Sequence, residues 1–409
     1  MENNFKKIKN IGIFWEGEKL GGVDSYLANL INSKTFKEIN LTIFTNKKNL
    51  GAERLLKNLK NKNIIIIYYN SINQFTSKNT LIKFLLIFLK PIFFVISIFQ
   101  FYFLLRKFKF EVFMGQCGGY GDFRSEMAAM FAAKFLGYPI RTIVIHHACG
   151  RPIFWNTLLN LINNLLSKIL TSVISVSKAT RDSVFYKSNL LDRSSNLQDV
   201  IIYNGVYLND KVSDNDKINK IIYKDLENTF LIGILSRIES YKGHIDLIKA
   251  FSKLSNDVKN KFKIYFIGDG EKDEIEACKE FISSMNLEKY FVFTGYIEED
   301  SISIVSRLDL LVSVTRTFEG FGLSIAEAMS VGTPVLCTKV GAIPEYLNNE
   351  NSTLIEPSKP KQIEDALKDF IANKKIWEKK AELGKEIIKN KFTSELMAKN
   401  YLNHFIENY

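Results

Sequence analysis

Short apolar runs alternate with longer stretches of mixed character along the whole chain. Residues 11–15, 41–44, 64–69, 112–114, 142–145 and 173–176 read as strands in the first half. Residues 230–235, 264–267, 291–293, 310–314 and 334–337 do so in the second. Their apolarity is continuous rather than alternating, as expected of strands covered on both faces. Between them lie segments of helix-forming composition, among them 24–31, 244–254 and 323–331. Strands alternating with helices predict parallel α/β sheets.

The plan starts twice. Residues 11–15 lead into Gly21-Gly22 and a helix, and residues 230–235 lead into a loop at 236–243 and a helix from His244. Two starts predict two doubly wound domains. Such sheets bind ligands beyond the carboxyl ends of their strands, so the site is expected in a cleft between the domains. The stretch 206–228 is polar and charged, and sets the expected division: a first domain at 1–206, a second at 207–391, and a last helix at 392–409.

One segment breaks the pattern. Residues 81–105 are strongly apolar and aromatic, interrupted by Lys83, Lys90-Pro91 and Gln100, and flanked by Arg106, Lys107 and Lys109. The longest charge-free run, 91–105, falls short of the ~20 residues of a spanning helix. Lying in the bilayer interface is the expectation; a greasy core helix leading into the strand at 112–114 is the alternative.

Composition narrows the class. The chain has 409 residues, 46% of them hydrophobic, which is enough for two cores and too much for a disordered chain. The net charge of +11 admits nucleic acid, anionic lipid or phosphorylated small molecules as partners. The lysine excess is spread along the chain and no zinc-finger, RRM or KH pattern occurs, so no nucleic-acid partner is expected. The four cysteines are scattered singly, which supports neither a zinc site nor a disulfide framework. Free cysteines suit a reducing compartment, and the run 11–15 is too short for a signal-peptide core, so a cytoplasmic protein is expected.

The densest chemistry lies at 316–329. A strand at 310–314 meets Gly320 and Gly322, then a helix from Leu323 that stops at Gly332. This places free helix N–H groups at a strand's carboxyl end, an arrangement suited to phosphate, with glycines that let the ligand approach the backbone. A carboxylate beside a diphosphate would repel it. Neither glutamate should then face the phosphates: Glu319 could accept hydrogen bonds from sugar hydroxyls and Glu327 from a ribose, whereas either one alone would read as a solvated surface glutamate. Glu327 lies roughly 200° round the helix from Ile325, so it need not face the core. Arg237 and Lys242 stand at another strand end and in its loop, where two cations can hold a diphosphate and offset the charge that grows as the sugar leaves. No Asp-x-Asp carboxylate pair accompanies these motifs, so the cations are expected to stand in place of a metal. His146 and His147, two of the four histidines, follow the strand at 142–145.

At this point the chain resembles a known family. Glu319 and Glu327 match the Glu-seven residues-Glu motif of retaining GT-B glycosyltransferases, and the surroundings are similar to glycosyltransferase family 4, the glycosyl transferases group 1. Residues 231–237 with Lys242-Gly243, 202–206, 266–270, 293–295, Gly332-Thr333-Pro334-Val335 and 341–345 continue the resemblance in order and spacing. It implies an α/β GT-B fold, two Rossmann-like domains facing across a cleft, with the C-terminal helix packing back on the first. It also implies a nucleotide diphosphate sugar as co-substrate, with UDP the expected nucleotide, and no cofactor.

The site residues the resemblance carries over are Gly21, Gly22, Arg237, Lys242, Ile297, Gly320, Phe321, Gly322, Leu323 and Glu327 for the donor. His146, His147 and Glu319 fall at the reacting centre, either histidine fitting the family position. Transfer with retention is implied, through an oxocarbenium-like transition state. The 81–109 segment suggests a lipid-linked saccharide acceptor at the inner membrane face, in bacterial surface-polysaccharide assembly. A transferase acting on a soluble acceptor, and a non-catalytic partner in a membrane assembly, are the other two readings.

Overall fold

The computed structural model describes residues 8–17, 20–59, 63–72, 80–150, 155–191, 197–208, 216–224 and 228–409. Glu18 and Lys19 of the first glycine loop, residues 1–7 of the lysine-rich N-terminus, and residues 209–215 and 225–227 of the expected boundary lie outside them. The chain divides into two compact units, one of residues 1–205 with 394–409, the other of residues 206–393.

The first unit is a seven-stranded, wholly parallel sheet. Its strands are β1 (Asn10–Trp15), β2 (Asn40–Asn46), β3 (Ile64–Tyr69), β4 (Val112–Cys117), β5 (Ile140–Ile145), β6 (Ser172–Ser175) and β7 (Gln198–Ile201), ordered β3-β2-β1-β4-β5-β6-β7. The helices between them are α1 (Gly22–Ile31), α2 (Leu50–Asn58), α3 (Thr80–Leu105), α4 (Ser125–Phe135), α5 (Asn156–Ile169) and α6 (Lys178–Lys187). The order reverses after β3, so α3 is the crossover that carries the chain past β2 and β1 to β4. Every position of β4 is buried, which is why its sequence shows no alternation.

The apolar 81–105 segment becomes α3, 26 residues long, with one face in the core. Phe94, Ser97, Phe101 and Leu105 are buried along it, spaced to share one side of a helix. Pro91 sits within this helix and cannot donate to the carbonyl of Ile87. The indole N–H of Trp155, just before α5, donates to that carbonyl instead at 3.2 Å.

The second unit is a six-stranded parallel sheet ordered β10-β9-β8-β11-β12-β13. In chain order its elements are α7 (Asp216–Ile221), β8 (Phe230–Leu235), α8 (His244–Ser252), α9 (Asn256–Lys259), β9 (Phe262–Ile267), α10 (Lys272–Ser284), β10 (Phe291–Gly295), α11 (Ser301–Val305), β11 (Leu310–Ser313), α12 (Leu323–Ser330), β12 (Val335–Thr338), α13 (Ile343–Tyr346), β13 (Thr353–Ile355), α14 (Pro360–Ala372) and α15 (Lys374–Lys391). The core gathers Phe251, Phe262, Phe266, Phe291, Phe370 and Trp377. The final helix, α16 (Ser394–Glu407), belongs to the first unit. It packs on α1, and its His404 reaches the Ser172 hydroxyl of β6 at 2.9 Å.

Candidate functional site

In the second unit, β8 ends at Leu235 and runs into residues 236–243. The N–H of Ser236 donates to Ile267, and that of Ile238 to Asp269, which holds the loop to the end of β9. A single helical turn, Ser240–Lys242, then enters α8 through Gly243. Gly243 has φ +79°, and a Cβ there would stand 2.1 Å from the carbonyl oxygen of Val314. Only glycine lets the loop pass so close to the end of β11. The N–H of Arg316 donates to the carbonyl of Tyr241 at 2.7 Å, tying the two strand-end segments together.

This contact brings the motif residues into one place. The Lys242 ammonium donates to Glu319 Oε2 at 2.8 Å, and the Thr315 hydroxyl donates to the same oxygen at 3.1 Å. The lysine and glutamate side chains are only 15% and 17% exposed. Burial works against the Lys242 charge, but Glu319 and the Tyr241 hydroxyl outweigh it and hold the ammonium above its ordinary pKa. Lys242 therefore stays a full cation at neutral pH. The backbone of Glu319 is fixed as well, its carbonyl accepting from Ala342 at 2.9 Å.

Residues 320–323 bridge Glu319 to α12. Phe321 is buried and stacks on Tyr346 with ring centroids 5.1 Å apart, so its side chain serves the core. The Tyr346 hydroxyl donates to the Phe321 carbonyl. Gly322 starts α12 with φ +83°, and no side chain caps the helix. An eight-residue helix thus presents its N-terminus beside the Lys242 and Glu319 loops, at the carboxyl edge of the sheet. Helix dipole, backbone N–H groups and a fixed ammonium together favour an anion.

Two expectations change in detail. Glu327 was expected to be able to avoid the core; it is 5% exposed, within a buried run from Ile325 to Met329. α11, α15, β11 and β12 all pack against this helix. Arg237 is the more peripheral cation, 37% exposed and paired with Glu239 at 2.8 Å. Ile297 is buried, which leaves its backbone as the part that can meet a ligand.

In the first unit, Gly21 precedes α1 with φ −177°, an extended conformation open to any residue, and a Cβ there would meet nothing within 4 Å. The N–H of Gly21 donates to Asp24 at 2.8 Å. The first turn of α1, which begins at Gly22, therefore already holds a carboxylate. His146 and His147 follow β5. His146 is held on two sides: its ring meets Gln116 Oε1 at 2.9 Å and packs edge-on to Tyr26 at 4.5 Å. Burial pushes its pKa down to about 3, so the imidazole is neutral at pH 7. His147 is half-buried.

Sequence reasoning missed the supports of the second-unit site. Asp246 accepts from Arg316 in a two-point pair, both contacts at 2.7 Å. Thr315 and His244 were also missed; His244 is buried against Phe266 at 4.8 Å and its pKa is pushed down to about 3, chiefly by burial. The one local signal for Asp246 is its place as an acidic residue in the first turn of α8. Among the described residues, no group of three or more His, Cys, Asp or Glu side chains gathers as metal ligands.

Residues 215–390 match the family Glycosyl transferases group 1. The second unit is a group 1 glycosyltransferase domain.

An uncharacterized glycosyltransferase of Methanocaldococcus jannaschii, MJ1069, is 26% identical to the chain over 247 residues, 60% of each protein. The capsular polysaccharide biosynthesis glycosyltransferase CapM of Staphylococcus aureus is 25% identical over 229 residues, 56% of this chain and 59% of CapM. The chain thus spans about 60% of the length of these relatives. Anabaena HepE, solved with UDP and glucose, superposes with a TM-score of 0.75 at 17% identity, covering 98% of this chain and all of that one. Sucrose-phosphate synthase of Thermosynechococcus elongatus gives 0.70 at 15% identity, covering 98% of each. The fold is that of GT-B glycosyltransferases, with the group 1 domain as its second Rossmann-like unit.

Proposed function

We propose that the chain is a retaining glycosyltransferase that moves a sugar from a UDP-sugar to a hydroxyl of a lipid-linked saccharide in bacterial surface-polysaccharide biosynthesis. The observation that carries this reading is the Lys242–Glu319 pair beside the N-terminus of α12. An ammonium has three N–H donors, and Glu319 takes one of them, so Lys242 is oriented and charged while still able to reach a phosphate oxygen. The helix terminus meets the same diphosphate with backbone N–H groups. As the glycosidic bond lengthens, negative charge collects on the leaving diphosphate. These fixed donors stabilise it without reorganising, which lowers the barrier. Arg237 adds a solvent-side cation and needs no metal beside it. Glu319 accepts from the sugar hydroxyls, and the first unit binds the acceptor.

CapM supports an acceptor of the polysaccharide type by its name, and HepE supports UDP as the nucleotide by the ligand it was solved with. The open apolar side of α3 supports an acceptor presented at the cytoplasmic face of the membrane.

The test incubates the full chain with UDP-, GDP- and ADP-sugars and follows nucleotide release, then repeats the productive donor with lipid-linked and water-soluble acceptors. Release from a UDP-sugar, strongly reduced by Lys242→Ala and by Glu319→Ala, is expected, with product of the donor's own anomeric configuration. Unchanged transfer in both variants, or no release from any donor, overturns the reading. Full activity on a soluble acceptor overturns the lipid-linked part alone.

A further inference from the structure

We infer that α3 and α5 form a platform that seats the first unit on an anionic membrane surface, with α3 lying in the plane of the interface rather than crossing it. This deepens the membrane-face reading above and names the surface that serves it.

The first observation is an uncovered apolar stripe. Leu85, Phe88, Ile92, Val95, Phe99 and Phe103 are all exposed, Phe99 to 61%. Steps of three and four residues put them on one side of α3, over about 27 Å of helix at ~1.5 Å per residue. Large apolar side chains in one contiguous strip mark an interaction surface. α5, across α4 from α3, adds Leu161 and Leu165, exposed one turn apart. Right-handed crossovers put α3, α4 and α5 on the same side of the sheet, and α4 packs against both of the others. Trp155 joins α3 and α5 through the Ile87 carbonyl and lies 6.1 Å from the Phe88 ring.

The second observation is charge. Residues 80–171 hold ten Lys and Arg against three Asp and Glu, a net +7 of the chain's +11. The three acids are engaged or enclosed: Asp122 pairs with Lys90, Glu111 accepts from the Asn10 backbone, and Glu126 is buried. Arg106, Lys107, Lys109, Lys134 and Lys168 are exposed. They follow or close the C-terminal ends of α3, α4 and α5, and so share one end of the layer. An apolar stripe with a cluster of exposed cations at one end is complementary to acyl chains beneath anionic headgroups.

Crossing is excluded by the other side of the same helix. Phe94, Ser97, Phe101 and Leu105 are buried in the unit's own core, and β3 and β4, at either end of α3, belong to one sheet. A helix with one face in a protein core cannot be surrounded by lipid.

The test uses the full chain with vesicles of phosphatidylcholine alone and with phosphatidylglycerol added, measured by co-sedimentation and tryptophan emission. Trp15 and Trp377 are buried, so Trp155 is the reporter. Binding to the phosphatidylglycerol vesicles is expected, weakened by salt, with a blue shift that Trp155→Phe removes. The double variant Phe99→Ser, Phe103→Ser should lower partitioning at least tenfold, and Lys107→Gln about fivefold. Equal binding to neutral vesicles, or unchanged binding in the Phe99 and Phe103 variant, overturns the inference. So does resistance to alkaline extraction, which would mean a spanning helix. Self-association through the stripe without vesicle binding overturns it too, and would assign the surface to a second copy. Donor hydrolysis measured without vesicles separates failure here from failure of the sugar-transfer reading.

Discussion

Lys242 and Glu319, 77 positions apart, meet at 2.8 Å because two loops leave adjacent strands of the second sheet. Glu319 holds the ammonium in place before any donor arrives. Replacing Lys242 with Ala should lower kcat/KM about 10²–10³-fold, the loss typical of one preorganised donor. Lys242→Arg should recover part of it, since the charge returns in a different shape. Steady-state kinetics with the productive donor checks both; an Ala variant within twofold of wild type contradicts the assignment.

Arg316 and Asp246 brace that arrangement, and their two sides are unequally buried, at 30% and 6% exposed. Arg316→Met leaves a buried carboxylate without its cation and should cost about 3 kcal/mol. Asp246→Asn leaves a guanidinium that water can reach, and should cost nearer ~1 kcal/mol. Denaturant unfolding of the two variants measures this, and the reverse order would contradict it.

The buried histidines and Glu126 pull stability in opposite directions with pH. His146 and His244 have folded pKa values pushed down to about 3 by burial. Their unfolded values lie near 6.5, so the unfolded chain takes up protons first, and the stability they carry is lost as pH falls from about 6.5 toward 3. Glu126 is raised to about 8, by burial first. It penalises the folded state as pH climbs from its unfolded value of about 4.3 through 8. His244→Phe should flatten the acid limb of a stability-pH curve, and Glu126→Gln the alkaline limb. Unfolding free energies at pH 4, 6 and 9, chosen to bracket these values, test each separately.

The glycines of the two loops should behave differently. Gly243→Ala meets the Val314 carbonyl at 2.1 Å in a left-handed conformation, and should destabilise by at least about 2 kcal/mol while lowering activity. Gly21→Ala has space and an extended backbone, so its melting temperature should match wild type. A rise in KM for the donor in that variant would place the first-unit loop against the substrate; an unchanged KM would remove Gly21 from the site.

Much of this protein was legible in order along the chain. Continuous apolar runs such as 11–15 and 230–235 announce buried parallel strands, because burial on both faces leaves no reason to alternate. Gly320, Gly322 and the helix from Leu323 announce an anion site, because helix N-termini and side-chain-free backbone are local properties. Pairing across the chain is not local. The depth of Glu327 follows from which elements pack against α12, and the Arg316–Asp246 brace from which loops the sheet order makes neighbours. The short edge strands β7 and β13 carry too few apolar residues to stand out. For α3, composition determined that something apolar would meet it. Only the tertiary structure decided that one side belongs to the core and the other to solvent, because a helix has two faces and the packing of α4 takes only one.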